Sequence, residues 1–425
     1  MEKIAPVAEY NDHASCEVFT DARVAANGET PARARPRIAF IVSHPIQYFA
    51  PLHQRLALRS DVQIKVFFTW HAGGRAVRDS GFRIPVAWDI PLTEGYDFEA
   101  VPNRAADPGT HHFRGLWNPT LVRQVMAWRP DVVHITGWAW QSHFMAMRAF
   151  AKCGVPFLFR GDSHLLDDHR HGPRWWIKSI LLRWIFSWPA AFLVVGAANR
   201  AYYETFGVTP DRLFFCPHSV DVRRFAEPAA ALEEQAAGWR RKLGIKSGKT
   251  VLLYAGKFEP KKRPVDLMRA VLAIDDPDLV LILVGDGELR EAVEEVARLA
   301  PERFRIVPFQ NQSRMPVVYR LGDIFVLPSA YGETWGLAVN EAMASGRPVL
   351  LSDRVGCGPD VVDPSCGRVF SWIDPQSFTM RLWEMTADRA ELVRMGNAAT
   401  KRAWSFDIGR TEAALVDAVR QVFER

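Results

Sequence analysis

Short apolar runs recur along the chain, and each is followed by a stretch with helical spacing. Each run is long enough for one buried strand, and strands that alternate with helices are typical of a parallel sheet covered on both faces. The sequence therefore predicts an α/β fold. The apolar runs begin at Arg37 and recur at residues 62–70, 131–138, 156–160, 190–195, 251–256, 279–285, 304–309, 324–329 and 348–353.

The runs fall into two series, which indicates two domains. The 425 residues exceed what one hydrophobic core usually holds, and residues 229–245, rich in Ala, Glu and Arg, separate the series. We predict two doubly wound, Rossmann-like domains, 36–228 and 229–405, that face a cleft, followed by a helix at 406–425. Residues 1–35 are polar and aperiodic, which predicts a disordered tail. Because ligands bind beyond the carboxyl ends of parallel strands, loops of both domains should build one site.

The charge of the chain is unevenly distributed. The formal net charge is +5, and residues 1–228 contain 26 Lys and Arg against 21 Asp and Glu, which is the whole excess. A basic half favours an acidic or membrane-surface partner, although ordinary scatter explains the excess equally well. The apolar stretch 175–195 is interrupted by Lys178, Arg183 and Pro189, so it cannot span a bilayer. We expect a packed crossover helix there rather than a membrane anchor.

Two carboxylates mark the strongest candidate site. Glu333 lies in a loop after a predicted strand, and Glu341 lies eight residues later in the helix that follows. A loop carboxylate can accept hydrogen bonds from sugar hydroxyls, and a carboxylate on the helix can accept them from a ribose. The free amides near Gly336, at the start of that helix, suit a diphosphate. A solvated helix face with two glutamates is the alternative interpretation.

This stretch resembles the Glu-x7-Glu motif of retaining family-4 glycosyltransferases, which have the GT-B fold. The resemblance implies that Glu333 binds the donor sugar and that Glu341 binds the donor ribose. It further implies that Thr334, Trp335, Gly336 and Leu337 contact the phosphate and sugar, with Trp335 replacing the usual Phe. In this fold the C-terminal helix crosses back onto the first domain. The resemblance covers residues 37–425 and implies neither a metal nor a cofactor.

A basic loop and a later turn complete the predicted donor site. Gly256 and Lys257 follow a strand, and Lys262 lies five residues after Lys257. The cations suit a departing nucleoside diphosphate, although a basic loop can equally be a solvated surface. The resemblance matches Lys262 to a family lysine and Lys257 to a family arginine. It also implies that the backbone near Phe309 and Gln310 faces the nucleobase.

The first half of the chain offers further candidates. Asp162 and His164 follow a predicted strand at the place where many family members have a His-Asp pair, and both remain candidates for contact with the donor sugar. The loop of the first strand contains His44 and Gln47, and a later loop contains Trp88 and Asp89; we assign these four to the acceptor side. His164, His169 and His171 do not match a metal-binding spacing, so no metal site is predicted.

The predicted function is transfer of a sugar, with retention of configuration, from a UDP- or GDP-sugar to a carbohydrate, small-molecule or lipid-linked acceptor. A nucleotide-sugar 2-epimerase of the same fold and a non-catalytic sugar- or nucleotide-binding protein are the alternatives. No nucleic acid partner is expected. Five scattered cysteines without a CxxC pair indicate a reducing, cytoplasmic location, with peripheral contact to the inner membrane face left open.

Overall fold

The structure is a computed structural model that describes residues 35–71, 77–78, 85–167 and 172–424. The predicted tail thus lies outside the described residues apart from its last one. Within the described ranges, a seven-stranded parallel sheet has the order β5-β2-β1-β6-β7-β8-β9, and a six-stranded parallel sheet has the order β12-β11-β10-β13-β14-β15. β3 and β4 pair as a short antiparallel ladder. The strands are β1 Arg37–Val42, β2 Gln63–Phe68, β3 Val77–Arg78, β4 Pro85–Val86, β5 Phe98–Ala100, β6 Val132–Thr136, β7 Phe157–Arg160, β8 Ala191–Val194, β9 Leu213–Phe215, β10 Thr250–Ala255, β11 Leu279–Val284, β12 Phe304–Val307, β13 Ile324–Leu327, β14 Val349–Ser352 and β15 Gly367–Phe370.

Helices connect the strands and cover both sheets. Short 3-10 segments occur at 113–115, 210–212, 260–262, 312–314 and 404–406. The α-helices are α1 Ala50–Ala57, α2 Leu121–Ala127, α3 Gln141–Lys152, α4 Pro173–Ile185, α5 Ala197–Thr205, α6 Val222–Ala226, α7 Ala229–Lys242, α8 Pro264–Leu272, α9 Arg290–Leu299, α10 Met315–Tyr319, α11 Leu337–Ala344, α12 Gly358–Val361, α13 Pro375–Thr386, α14 Arg389–Ala403 and α15 Ile408–Phe423.

The two-sheet α/β prediction is confirmed, and every predicted apolar run contains a strand. Five strands were not predicted: β3 and β4 of the short ladder, and β5, β9 and β15 of the two sheets. All five are only two to four residues long. β5, β9 and β15 lie at sheet edges and include half-buried or exposed positions, so none of them forms a long apolar run. The segment that separates the two series contains helix α7.

The first sheet has two differently covered faces. One core lies under α2, α3, α4 and α5, and the core on the opposite face lies under α1 and the C-terminal helix α15. Arg55 of α1 binds Glu412 of α15 at 2.6 Å, and Arg59 binds the same carboxylate at 3.1 Å. The last helix therefore packs on the first sheet, as the resemblance implied.

The chain passes between the two sheets at two points that are bonded to each other. Val220 and Asp407 form a parallel bridge, in which the Ile408 amide donates to the Val220 carbonyl at 3.0 Å. The Asp407 carboxylate caps α15 by accepting a hydrogen bond from the Gly409 amide. It also accepts one from the amide of Val222, the first residue of α6. One side chain thus joins both crossings.

Asp407→Ala is expected to lower the free energy of unfolding by about 2 kcal/mol, because an N-cap is lost together with the bond to the second crossing. Asp388→Ala is the matched control, since Asp388 caps α14 through a single amide, that of Ala390. It should cost about 1 kcal/mol. Urea unfolding of both variants measures the difference. Equal losses would show that the Asp407–Val222 bond contributes nothing.

Candidate active site

The carboxyl ends of β10 and β11 approach each other at the level of the backbone. A Cβ at Gly285 would lie 1.9 Å from the carbonyl oxygen of Gly256, and Gly285 has φ +151°. Only glycine fits this contact without a shift of one strand end. The loop after β10 is therefore held against the end of β11, and the basic segment that follows it starts from a fixed position.

The predicted cation and the predicted loop carboxylate meet at this edge. Lys262 Nζ lies 2.5 Å from Glu333 Oε2, and the Ser329 hydroxyl donates to the same oxygen at 3.0 Å. The side chains of Lys262 and Glu333 are 17% and 14% exposed, so the pair is partly desolvated. β10 and β13 are neighbours in the sheet, which brings together residues that are 71 positions apart.

The loop that contains Glu333 is held by backbone hydrogen bonds from the segment after β14. The Gly356 amide donates to the Glu333 carbonyl, and the Cys357 amide donates to the Trp335 carbonyl, each at 3.0 Å. Gly336, with φ +92°, ends the loop and begins α11. The first amides of an α-helix have no acceptor within the helix, so those of Leu337 and its neighbours offer a site for an anion.

Glu341 and Trp335 lie beside this site in the second domain. The Tyr319 hydroxyl donates to Glu341 Oε2 at 2.5 Å. Burial raises the pKa of Glu341, and the bond from Tyr319 opposes that rise. Trp335 is buried and its indole donates to the Asn340 side chain at 3.0 Å. Trp335 therefore stabilises the start of α11 through its side chain.

Asp162 contacts a histidine whose position the sequence did not reveal. Its carboxylate lies 3.1 Å from Nε2 of His218, a side chain that packs against the rings of Phe49 and Trp335. Burial alone would raise the pKa of Asp162, but His218 and Arg160 lower it to about 2. His218 follows an edge strand and belongs to no charged motif, so the sequence contained little signal for it.

His164 is buried rather than exposed in the cleft. Its Nδ1 accepts from the Leu166 amide at 3.2 Å, and its Nε2 lies 4.0 Å from the Asp167 carboxylate. Asp167 in turn accepts from the Gly332 amide at 2.8 Å, across the cleft. The loop after β7 therefore reaches the residue next to Glu333. His169 and His171 lie outside the described residues.

The predicted acceptor-side residues Trp88 and Asp89 lie against the predicted base-binding turn. The rings of Trp88 and Phe309 are 6.3 Å apart, and the Ser313 amide donates to Asp89 Oδ1 at 3.0 Å. The Asn311 side-chain amide donates to the Ala87 carbonyl at 2.6 Å. The two residues therefore join the first domain to the turn at 309–313 of the second, and their assignment to the acceptor side stays a prediction.

The remaining candidates lie at strand ends. His44 Nδ1 is 2.9 Å from the Ser43 hydroxyl, and burial lowers the pKa of His44. Gln47 is half-buried in the turn before α1. The Lys257 carbonyl accepts from the Tyr254 hydroxyl at 2.6 Å, which fixes the backbone after β10. Gln310 donates to the carbonyl of Pro308 within its own turn.

Sequence profiles of two families match the chain. "Glycosyl transferases group 1" matches residues 236–402, and "Glycosyl transferase 4-like domain" matches residues 93–218; together they cover more than half of the chain. D-inositol 3-phosphate glycosyltransferase of Nocardia farcinica is 30% identical over 231 residues, 51% of this chain and 49% of the relative. The chain thus spans about half the length of the curated relatives it matches.

Solved structures share the fold. Sucrose-phosphate synthase from Thermosynechococcus elongatus has a TM-score of 0.69 at 18% identity, covering 92% of this chain and all of that one. Anabaena HepE in complex with UDP and glucose has a TM-score of 0.66 at 14% identity, covering 91% of this chain and all of that one. At these identities the likeness establishes the two-domain GT-B architecture.

Proposed function

Since the chain belongs to the group 1 glycosyltransferases, of the family-4 type with the GT-B fold, we propose that it transfers a sugar from a nucleoside diphosphate sugar to an acceptor. The ion pair between Lys262 and Glu333 is the observation that carries this proposal. This pair supports the proposal because a cation suited to a diphosphate and a carboxylate suited to sugar hydroxyls lie within one hydrogen bond of each other. The amides that begin α11 follow directly in the chain.

The ammonium group of Lys262 can serve two partners at once. It has three hydrogens, of which Glu333 uses one, so the others remain available to phosphate oxygens. Donor binding therefore does not require the ion pair to break. Glu333 has further lone pairs that can accept hydrogen bonds from sugar hydroxyls, and Lys262 balances its charge while it does so. Lys257, at the start of the same loop, adds a second cation to the proposed diphosphate site.

The proposed reaction breaks the bond between the anomeric carbon and the diphosphate oxygen. Lys257, Lys262 and the amides of α11 stabilise the charge that develops on that oxygen. The acceptor hydroxyl attacks the sugar on the face that the diphosphate leaves, and its proton passes to the leaving phosphate. The products are a glycoside with retained configuration and a nucleoside diphosphate. Closure of the domains excludes water from the reacting sugar.

UDP-sugars are the first donors to test, because solved structures of similar fold contain UDP or UDP-glucose; GDP-sugars are the second. The family match favours a transferase over the 2-epimerase and over a binding protein without turnover. The acceptor is proposed to be a carbohydrate or a lipid-linked sugar.

Glu333→Gln is expected to lower donor turnover by about 10²-fold or more while the affinity for the nucleoside diphosphate changes only a few-fold. Release of nucleoside diphosphate from a panel of UDP- and GDP-sugars provides the assay, with calorimetry of UDP and GDP for affinity. Glu295→Gln, which changes an exposed glutamate of α9, is the control. Normal turnover by Glu333→Gln would refute the assigned site, and epimerised donor without acceptor would refute the transferase.

A further inference from the structure

Helix α4 exposes an apolar face. Leu182 and Ile185 are buried against the sheet, as expected for a packed crossover helix. The outward positions are apolar as well: Trp176 is 68% exposed, Ile180 is 69% exposed and Trp184 is 51% exposed. These three residues are spaced by four, so they lie in one stripe along the helix. Ile177 and Leu181, which are also exposed, widen it.

The stripe continues onto the neighbouring elements through aromatic contacts. The ring of Trp184 lies 4.6 Å from that of Trp188, and Trp188 lies 5.7 Å from Phe144 of α3. Phe144 lies 6.4 Å from Phe113, which is 47% exposed. We call this continuous surface, from Trp176 to Phe113, the aromatic face. A connected apolar surface with several exposed aromatic rings indicates an interaction site rather than scattered surface residues.

Helices α3 and α4, which contribute most of the aromatic face, contain charges of one sign. Helices α3 and α4 contain no Asp or Glu in their sequences. They contain five basic residues, and Arg148 of α3 lies one turn from Phe144. The five are Arg148, Lys152, Arg174, Lys178 and Arg183.

Together these observations fit an anionic bilayer. Tryptophan side chains favour the bilayer interface, and basic residues are attracted to acidic headgroups. A second copy of the chain fits poorly, because a two-fold interface would place the same basic residues opposite each other. The helices of the described part of the chain are too short or too polar to cross a membrane, so contact through this face would be peripheral.

The aromatic face also lies close to the candidate site along the chain. The loop after β7 contains Asp162 and Asp167, and Asp167 contacts the Gly332 amide beside Glu333. Pro173 begins α4 six residues after Asp167, so the first turn of α4, with Trp176, follows the cleft loop. A membrane at this helix would therefore lie next to the cleft.

We propose that the aromatic face docks the protein on an anionic membrane and that the acceptor is a lipid-linked molecule held in that membrane. The second part rests on the proposed glycosyl transfer; the docking itself does not. Docking places the cleft within reach of the headgroup region, so a lipid-linked acceptor reaches the site without leaving the bilayer.

The test is co-sedimentation of the full chain with vesicles of equal parts phosphatidylcholine and phosphatidylglycerol. The double variant Trp176→Ser/Trp184→Ser should bind about tenfold or more weakly, because two aromatic anchors are removed. Both residues are exposed, so folding is expected to be unaffected. Trp383→Ser is the matched control, since Trp383 is 60% exposed on α13 of the other domain; it should bind like the unmodified chain.

A charge variant tests whether the basic residues contribute to membrane binding. Arg148→Glu should lower binding by on the order of fivefold or more, and Lys246→Glu, exposed in the second domain, should not. Pure phosphatidylcholine vesicles should bind the unmodified chain much more weakly. Equal binding by the double variant, or a dimer in solution that the double variant dissociates, would overturn the docking proposal.

Donor hydrolysis separates the two proposals. If vesicle binding is absent while donor turnover persists, the membrane proposal fails and the proposed function stands. If vesicle binding is intact while no nucleotide-sugar is turned over, the proposed function fails, and with it the lipid-linked acceptor. Stimulation of transfer to a lipid-linked acceptor, lost in Trp176→Ser/Trp184→Ser with donor hydrolysis unchanged, is the result expected if both hold.

Discussion

Lys262→Ala is expected to lower kcat/KM for the nucleotide-sugar by about 10²- to 10³-fold. The ammonium group lies 2.5 Å from Glu333 in a partly desolvated position, where a fixed charge stabilises a developing diphosphate charge more strongly than it would in water. Its loss also leaves the Glu333 carboxylate without its cation, next to the phosphates that it would then repel. Both effects act on the same step, so we expect the fall mainly in kcat.

Lys261→Ala is the matched control for this prediction. Lys261 is the adjacent residue in the same 3-10 segment, but its ammonium group faces Glu259 at 3.5 Å and its side chain is 37% exposed. Lys261 supports the neighbouring loop through its backbone carbonyl, which accepts from the Ala330 amide at 2.8 Å. The substitution leaves this hydrogen bond unchanged. Steady-state kinetics of the two variants should differ by about 10²-fold. Equal kinetics would show that Lys262 has no special role.

The strands at the centre of each sheet could be predicted from the sequence because they are buried on both faces. β11 is a continuous apolar run of six residues and β10 is one of five after Thr250, a pattern typical of strands buried on both faces. β9 is only three residues long and goes from a buried to an exposed position, so it is too short to be recognised as a strand from its sequence. The hydrophobic pattern identifies the core strands, but it does not identify the edge strands, because these are short and half-exposed.

The candidate site shows the same division. Lys262 and Glu333 each follow a predictable strand and belong to a recognisable motif, so their meeting could be anticipated. The Asp162–His218 pair could not, because His218 follows the unpredicted strand β9 and its position depends on how three parallel strands, β7, β8 and β9, are ordered. The distance between side chains on separate strands is a property of topology, which no local pattern contains.

The sequence also did not predict which face of α4 is exposed to solvent. The sequence places Leu182 and Ile185 in a helix, but apolar residues on every side of a short helix do not reveal which side the sheet covers. That depends on the neighbouring α3 and α5. Only the packed structure distinguishes the buried leucine from the exposed tryptophans.

Gly356→Ala is expected to disrupt the site from a position that touches no ligand. A Cβ at Gly356 would lie 2.0 Å from the carbonyl oxygen of Thr334 and 2.7 Å from its carbonyl carbon. These are backbone atoms, so the loop from Glu333 to Gly336 must move as a unit by about 1 Å to reach ordinary contact distances. The hydrogen bond from the Gly356 amide to the Glu333 carbonyl would be strained by the same movement.

We expect Gly356→Ala to cost about 1–3 kcal/mol of stability and to lower kcat/KM by about 10²-fold, because a displacement of this size misplaces the Glu333 carboxylate. Gly358→Ala is the control: it lies two residues later at the start of α12, and a Cβ there has no atom within 4 Å among the described residues. Alanine also favours a helix, so this variant should be as stable as the unmodified chain or slightly more so. Urea unfolding and steady-state kinetics measure the two effects. Full activity of Gly356→Ala would show that the Glu333 loop tolerates displacement and that activity does not depend on its fixed position.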